Sequence, residues 1–402
     1  MKVLSILGTR PEAIKMAPVL HELKRRARKS KLQSIVCATA QHRQMLDQTL
    51  AAFRIVPDVD LELMAPNQTL ASLSARALIA IADVLEQQRP DLVLVQGDTT
   101  SAMIGSMAAF YAKIPVGHIE AGLRTHDSHS PFPEEANRRI ITAMADYHFA
   151  PTPVAMNYLR REGIRDERLF LTGNPGIDAL LWITKCRPSN SATKLITRLG
   201  LEENESGKGK TILVTAHRRE NHGAHLEEIC SALRSIVSRN PNVQIVFPVH
   251  LNPNVREPAL RILSGHERIH LVDPLPYEVF AHLATRVHFL MTDSGGIQEE
   301  APALGKPVLV LRDDTERPEG VEVGCAKLVG TESARVVAEA ERLLHDDLEY
   351  LRMARAHCPY GDGRASQRIA DVICGRPGLA FLSFPETTLP TYLPPTSPPL
   401  QN

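Results

Sequence analysis

Leu290-Met291-Thr292-Asp293-Ser294-Gly295-Gly296-Ile297-Gln298-Glu299-Glu300 carries an apolar run into a paired-glycine turn and then into a helical pattern. A buried strand, a tight turn and a helix in that order read either as a phosphate-binding element, with free amides and the positive end of the helix facing whatever sits over the turn, or as the ligand-free glycine turn common in α/β proteins. Ser294 is expected to cap the helix, while Gly295 and Gly296 let a ligand approach the backbone. Glu299 and Glu300, one turn further on, read either as carboxylates in reach of a ribose hydroxyl or as solvated helix surface.

Outward from this stretch, short apolar runs bounded by turn residues alternate with amphipathic ones, the pattern of a parallel sheet covered by helices. Strands are expected at 2–7, 33–39, 91–95, 114–118, 147–150 and 168–172, and again at 210–214, 243–248, 268–272, 287–291, 307–311 and 326–329. The pattern loosens between Gly173 and Lys210, where a helix over Ile177 to Thr184 leads into Pro188-Ser189-Asn190-Ser191, so a domain junction belongs near 173–190. An α/β protein of two doubly wound parallel-sheet domains follows, with their strand C-termini on a shared cleft. The boundaries are 1–175 and 176–360, then a last helix at 361–375 and a tail at 376–402 rich in proline, which is extended rather than helical.

At 402 residues the chain has room for two cores, and its 46 basic residues balance its 46 acidic ones. That balance speaks against recruitment of nucleic acid or an anionic membrane by a global field, so any anion recognition is local. Met1-Lys2 runs directly into the strand pattern, and no apolar stretch approaches the length of a membrane span, so a soluble cytoplasmic protein is expected. The six cysteines lack paired metal-site spacing, and no metal site is expected.

Nearly every expected strand ends in polar residues suited to phosphate or sugar. Gly8-Thr9-Arg10-Pro11-Glu12 follows the first; Arg10 reads as a diphosphate clamp with Lys15 as a second charge, or as a surface ion pair with Glu12. Asp98 and Glu120 follow the third and fourth strands, Asp98 either capping its helix or facing the cleft, and prolines hold Glu134 at a helix start. Three carboxylates on one cleft supply acid and base roles. His217 stands beside Arg218 and Arg219, placed to titrate near neutrality or donate to phosphate, with His250 at the next strand end and Gln41, His42 and Gln44 after strand 33–39.

The chain closely resembles the non-hydrolysing UDP-N-acetylglucosamine 2-epimerases of bacteria, from about residue 1 to 375. The resemblance rests on GTRPEAIKMAP at 8–18, TAQHRQMLDQ at 39–48, GDTT at 97–100, IEAGLRT at 119–125, PEEANR at 133–138, HRRE at 217–220, PVHLNPNVREP at 248–258, TDSGGIQEEAP at 292–302, GKPVLVLRDDTERPE at 305–319 and CPYGDG at 358–363. It departs at Asn174-Pro175-Gly176, where Asn-Thr-Val is usual, and in the tail.

This likeness implies a GT-B fold, two Rossmann-like domains with the active site in the interdomain cleft and a C-terminal helix crossing back to the first domain. It implies that Arg10, His217, Ser294, Gly295, Gly296 and Glu300 hold UDP, with Arg317 near the sugar. Asp98, Glu120 and Glu134 become the catalytic carboxylates, His217 joining them, and Lys15 lies with the substrate. The implied reaction is reversible epimerisation to UDP-N-acetylmannosamine through a 2-acetamidoglucal, without nicotinamide or metal cofactor, for surface polysaccharide precursors. Gln41, His42, Gln44, Arg76, Arg218 and His250 match a second UDP-N-acetylglucosamine site that activates some relatives. A homodimer is implied as well.

Overall fold

A computed structural model describes residues 1–39, 43–64, 68–129, 131–202 and 209–375. Gln41, His42 and the proline-rich tail at 376–402 lie outside these described residues, and of Gln44 only the backbone is described.

The first sheet has seven parallel strands: β1 (Lys2–Leu7), β2 (Gln33–Ala38), β3 (Val59–Asp60), β4 (Leu92–Gln96), β5 (Val116–Ile119), β6 (Tyr147–Ala150) and β7 (Leu169–Leu171), in the order β3-β2-β1-β4-β5-β6-β7. Between them run α1 (Arg10–Ala27), α2 (Arg43–Ala52), α3 (Leu70–Gln88), α4 (Thr100–Tyr111), α5 (Glu134–Met144) and α6 (Pro153–Arg161). Then come α7 (Pro175–Lys185) and α8 (Asn190–Arg198).

The second sheet is β8 (Lys210–Thr215), β9 (Val243–Pro248), β10 (Ile269–Val272), β11 (Phe289–Thr292), β12 (Val308–Val310) and β13 (Ala326–Leu328), in the order β10-β9-β8-β11-β12-β13. Its helices are α9 (Ala224–Arg239), α10 (Pro253–Leu263), α11 (Tyr277–Ala284), α12 (Gly295–Ala303), α13 (Pro318–Glu322), α14 (Ser333–His345), α15 (Asp347–Ala354) and α16 (Ala365–Ile373). The fold is two doubly wound α/β units of GT-B type. The edge strand β3 was not anticipated: two residues after Pro57-Asp58 carry no period, and only pairing with Cys37 and Ala38 makes them a strand.

Strand order reverses between β1 and β4 in one sheet and between β8 and β11 in the other. Ligands in open α/β sheets settle outside such switch points, where neighbouring loops diverge and leave a crevice. Arg10, Asp98, His217 and Ser294 all follow these four strands directly. Both faces of each sheet are covered by apolar clusters, so the strands read as continuous apolar runs.

A fifth cluster joins the two units: Ile14 and Ala17 of α1, Phe53, Ala179, Leu180 and Ile183 of α7, and Ala281 of α11. The helix expected at 177–184 starts two residues earlier, because the Asn174 side chain accepts from Gly176 N–H at 2.8 Å and Pro175 suits a first helical position. The chain then returns. α16 inserts Ile369, Ala370 and Ile373 into the first unit's core beside α1, and Arg26 pairs with Asp371 at 2.6 Å. Asp178 of α7 accepts from Ser366 N–H at 2.8 Å and Ser366 Oγ at 2.6 Å, fastening the start of α16. Where outgoing and returning segments pass, Asn174 N–H donates to the Tyr360 carbonyl at 2.7 Å. No described helix is long and apolar enough to cross a membrane.

Candidate functional site

The β1–α1 turn is shaped by Glu12, not by a pair between Glu12 and Arg10. Glu12 is buried, and its carboxylate accepts from Gly8 N–H at 3.1 Å, Thr9 N–H at 2.7 Å and Thr99 Oγ1 at 2.8 Å. The surface ion-pair reading of Arg10 is thereby excluded, and Arg10 stays exposed at the sheet edge. Burial nonetheless pushes Glu12 up to about 7 against these donors. A Cβ at Gly8 would overlap the hydroxyls of Ser101 and Thr39, so the turn requires glycine.

Asp98 does not cap α4. Thr99 does, accepting from Ala102 N–H at 3.0 Å, which leaves Asp98 to pair with Arg138 of α5 at 2.7 Å. Glu134 opens α5, and its Oε2 is buried with no hydrogen-bond partner among the described residues. The adjacent Glu135 is fully buried and already taken by Arg138, Arg139 and Thr125 N–H. An orphaned buried carboxylate oxygen costs energy unless a ligand or water completes it, and that singles out Glu134.

Glu120 has φ 66°, a left-handed conformation uncommon for a residue that carries a side chain. It is 6 % exposed, bonded to the Lys15 ammonium at 2.5 Å and to the amides of Gln96 and Asn174. Burial opposes its ionisation, yet Lys15, Arg317 and Arg138 hold its carboxyl below the ordinary range. Lys15 is therefore Glu120's counter-charge rather than a free second cation beside Arg10.

The network continues into the second unit. Asn174 also donates to Glu299, and Glu299 accepts from Arg317 Nε. Glu299 is buried in this chain of contacts, so of the two neighbouring carboxylates only Glu300 is left for a nucleotide. Glu300 accepts from the Tyr277 hydroxyl at 3.1 Å, and burial pushes it up to about 7. Arg317 is half-buried; despite the cost of burial, Glu299, Glu316 and Glu120 hold it firmly protonated.

At β8 and β11, Asp293 organises the turn that its neighbour was expected to cap. Its Oδ2 accepts from the backbone N–H of His217 and of Arg218, both at 2.7 Å, and its Oδ1 lies 3.4 Å from His217 Nδ1. Ser294 stands at the N-cap but makes no side-chain cap, contrary to expectation; the Thr292 hydroxyl takes its N–H instead at 3.0 Å. Around Gly296 there is open space, whereas a Cβ on Gly295 would come 2.9 Å from Glu316. Burial lowers the pKa of His217, outweighing Asp293, with His250, Arg218 and Arg10 lowering it further. The Asn174 side chain, bonded to Glu120 of the first unit and to Glu299 of the second, ties the two sheet edges to one cleft.

The His217 and His250 rings stack with centroids 5.8 Å apart. Arg218 pairs with Glu316 at 2.7 Å, and Glu316 also holds Arg312 at 2.6 Å; against its burial, these arginines and Arg317 keep it at about 2. Arg76 is occupied within its own unit, donating to Leu63 O at 2.9 Å and Gln68 at 2.5 Å.

Sequence reading had passed over Gln96, Arg138, Asn174, Tyr277, Asp293 and Glu316. One signal was available: Arg138 falls three residues after Glu135, with which it pairs at 3.2 Å.

A family model described as UDP-N-acetylglucosamine 2-epimerase matches residues 24–374. The UDP-N-acetylglucosamine 2-epimerase of Salmonella typhimurium is 52 % identical over 373 residues, covering 93 % of this chain and 98 % of its own. The enzyme of that name from Escherichia coli K12 matches equally, at 52 % over 373 residues with the same 93 % and 98 % coverage. Among solved structures, the Neisseria meningitidis UDP-GlcNAc 2-epimerase bound to UDP-GlcNAc superposes with TM-score 0.84 at 46 % identity, over 94 % of this chain and all of that one.

Proposed function

The chain belongs to the UDP-N-acetylglucosamine 2-epimerase family and is an isomerase acting at carbon 2 of UDP-N-acetylglucosamine, and from that premise we propose how its own residues do so. The route is elimination and re-addition without hydrolysis. A carboxylate takes the proton from carbon 2 while the bond from carbon 1 to the diphosphate oxygen breaks, leaving a 2-acetamidoglucal and UDP. UDP then re-adds at carbon 1 as a proton reaches the opposite face of carbon 2, giving UDP-N-acetylmannosamine.

The observation that carries this reading is the separation of charge across the cleft. Asp98, Glu120 and Glu134 stand at the C-terminal edge of the first sheet, while the α12 amides, His217 and Arg317 belong to the second. Proton traffic on two faces of one carbon needs more than one carboxylate, and departure of a diphosphate needs cations and amides. In this reading Arg10, His217, Ser294 and the Gly295 and Gly296 amides hold the diphosphate, Glu300 the ribose, and Arg317 the sugar side. Lys15 keeps Glu120 ionised. His217, neutral at neutral pH, donates to the leaving oxygen.

Incubation with UDP-N-acetylglucosamine in deuterium oxide tests the route. Deuterium at carbon 2 of both epimers, with scrambling of an oxygen-18 label out of the carbon 1–phosphorus bridge, is the expected result. Free N-acetylmannosamine with UDP as the main products would overturn it.

The product would supply surface polysaccharide precursors, from the cytoplasm. Exposed Ile79, Phe110 and Tyr111 on the packed helices α3 and α4 offer an apolar face for a homodimer. Light scattering reads that state. A second UDP-N-acetylglucosamine beside Arg218 and His250 would act as activator, at the site whose other members by family resemblance are Gln41, His42, Gln44 and Arg76; a sigmoidal substrate curve that Arg218→Ala makes hyperbolic is its signature.

A further inference from the structure

Tyr277 opens α11 directly after Pro276, and its ring belongs to the apolar cluster between the two units, 6.2 Å from the ring of Phe53, which stacks on Trp182 at 5.3 Å. Its hydroxyl leaves that cluster to reach Glu300 Oε1 at 3.1 Å. Tyr277 is thus anchored at one end by interdomain packing and committed at the other to a single carboxylate. Burial and the neighbouring Glu300 push the tyrosine pKa well above its ordinary value, so the hydroxyl keeps its proton and has it to donate to Glu300.

Glu300 lies in the second turn of the helix whose N-terminal glycines face the cleft, half-buried. Among the described residues, Tyr277 is its hydrogen-bond partner, which leaves Oε2 for a ligand. A carboxylate held at one oxygen and free at the other suits a vicinal diol, since both hydroxyls can donate to it.

We propose that Tyr277 is a positioning residue that holds Glu300, ionised and in one rotamer, as the acceptor for the ribose hydroxyls of the bound nucleotide. This rests on the assignment of Glu300 to the ribose. Two consequences follow from the hydroxyl: it fixes the carboxylate's direction, and it favours the charged form against burial. The charged groups acting on Glu300 are Glu299 beside it, which opposes ionisation, and Lys15 of α1, which favours it. With the hydroxyl removed, Glu300 takes up a proton at higher pH and loses its preferred orientation.

The test measures affinity for UDP and for 2′,3′-dideoxy-UDP by calorimetry between pH 6 and 9, roughly spanning the Glu300 titration. Their ratio isolates the ribose hydroxyls, because diphosphate ionisation is common to both ligands and cancels. Wild type is expected to prefer UDP and to lose the preference as pH falls. Tyr277→Phe keeps the ring and should cut the preference roughly tenfold at pH 7, as for loss of one hydrogen bond to a charged group, with the midpoint of its loss moved to higher pH. Glu300→Gln should flatten the pH dependence and weaken the preference. If Tyr277→Phe keeps the wild-type ratio and midpoint while Glu300→Gln loses the preference, the role given to Tyr277 is wrong. If Glu300→Gln keeps the wild-type ratio, the ribose assignment beneath it fails.

Discussion

The Lys15 ammonium lies 2.5 Å from Glu120 Oε1, joining the first helix of the chain to the end of the fifth strand. Glu120 is buried, and an ion pair of that kind is held less by its attraction than by the cost of leaving either partner alone.

Lys15→Met should therefore lower stability by about 3 kcal/mol, the usual cost of stranding a buried charge. Urea unfolding monitored by circular dichroism reads the loss. Recovery of most of it in the Lys15→Met, Glu120→Gln double variant is the expected sign that the stranded carboxylate is responsible.

Glu120→Gln and Glu134→Gln should each reduce turnover by roughly 10²–10⁴, the range for loss of an acid or base group. UDP affinity should change little in Glu134→Gln, because the proposed mechanism assigns this carboxylate to the sugar and not to the diphosphate. Near-normal turnover in both variants would remove the carboxylates from the mechanism.

The glycine turn separates two effects. Open space around Gly296 means that Gly296→Ala should fold normally yet raise KM roughly tenfold by standing where the diphosphate approaches the amides. Ser294→Ala should do less, since the serine side chain makes no cap and the backbone amide remains. Steady-state kinetics on both, with melting temperatures as control, decides the order.

Glu12 gives a pH dependence of stability with a definite sign. Its folded pKa is raised to about 7 from an ordinary 4.5, so the folded state holds the proton more tightly and stability falls as pH rises through that window. Against Glu12→Gln, which has no proton to lose, wild type should forfeit about 3 kcal/mol between pH 4.5 and 7, taking 1.36 kcal/mol for each pH unit. Unfolding free energies at pH 5 and pH 8 measure the difference.

The two-unit fold was legible because its strands are buried on both faces, and runs such as Val93-Leu94-Val95 and Ile245-Val246-Phe247 announce themselves without reference to anything distant. The strand ends were legible for the same reason: once β1, β4, β8 and β11 are placed, Arg10, Asp98, His217 and Ser294 fall on the cleft. What stayed hidden depends on partners far away in the chain. Asn174 bridges Glu120 and Glu299, 54 and 125 residues distant, and no local pattern marks it. Asp293 sits inside the very stretch that decides the fold, yet the backbone amides it bonds, of His217 and Arg218, lie 76 and 75 residues away. Thr99 was hidden likewise, because a hydroxyl that caps and a hydroxyl that merely follows a strand read alike in sequence.

The contact between Asn174 and Tyr360 has a mechanical meaning. The polypeptide crosses from one unit to the other twice, and at the crossing the two passes are bonded to each other. A door hung on one pin swings and twists; on two pins it only swings. Any movement of one unit against the other is constrained at that crossing. In the elimination route proposed above, UDP leaves carbon 1 and rejoins it, and a crossing bonded at Asn174 and Tyr360 would keep the α12 amides in register with the first sheet's carboxylates while it does so.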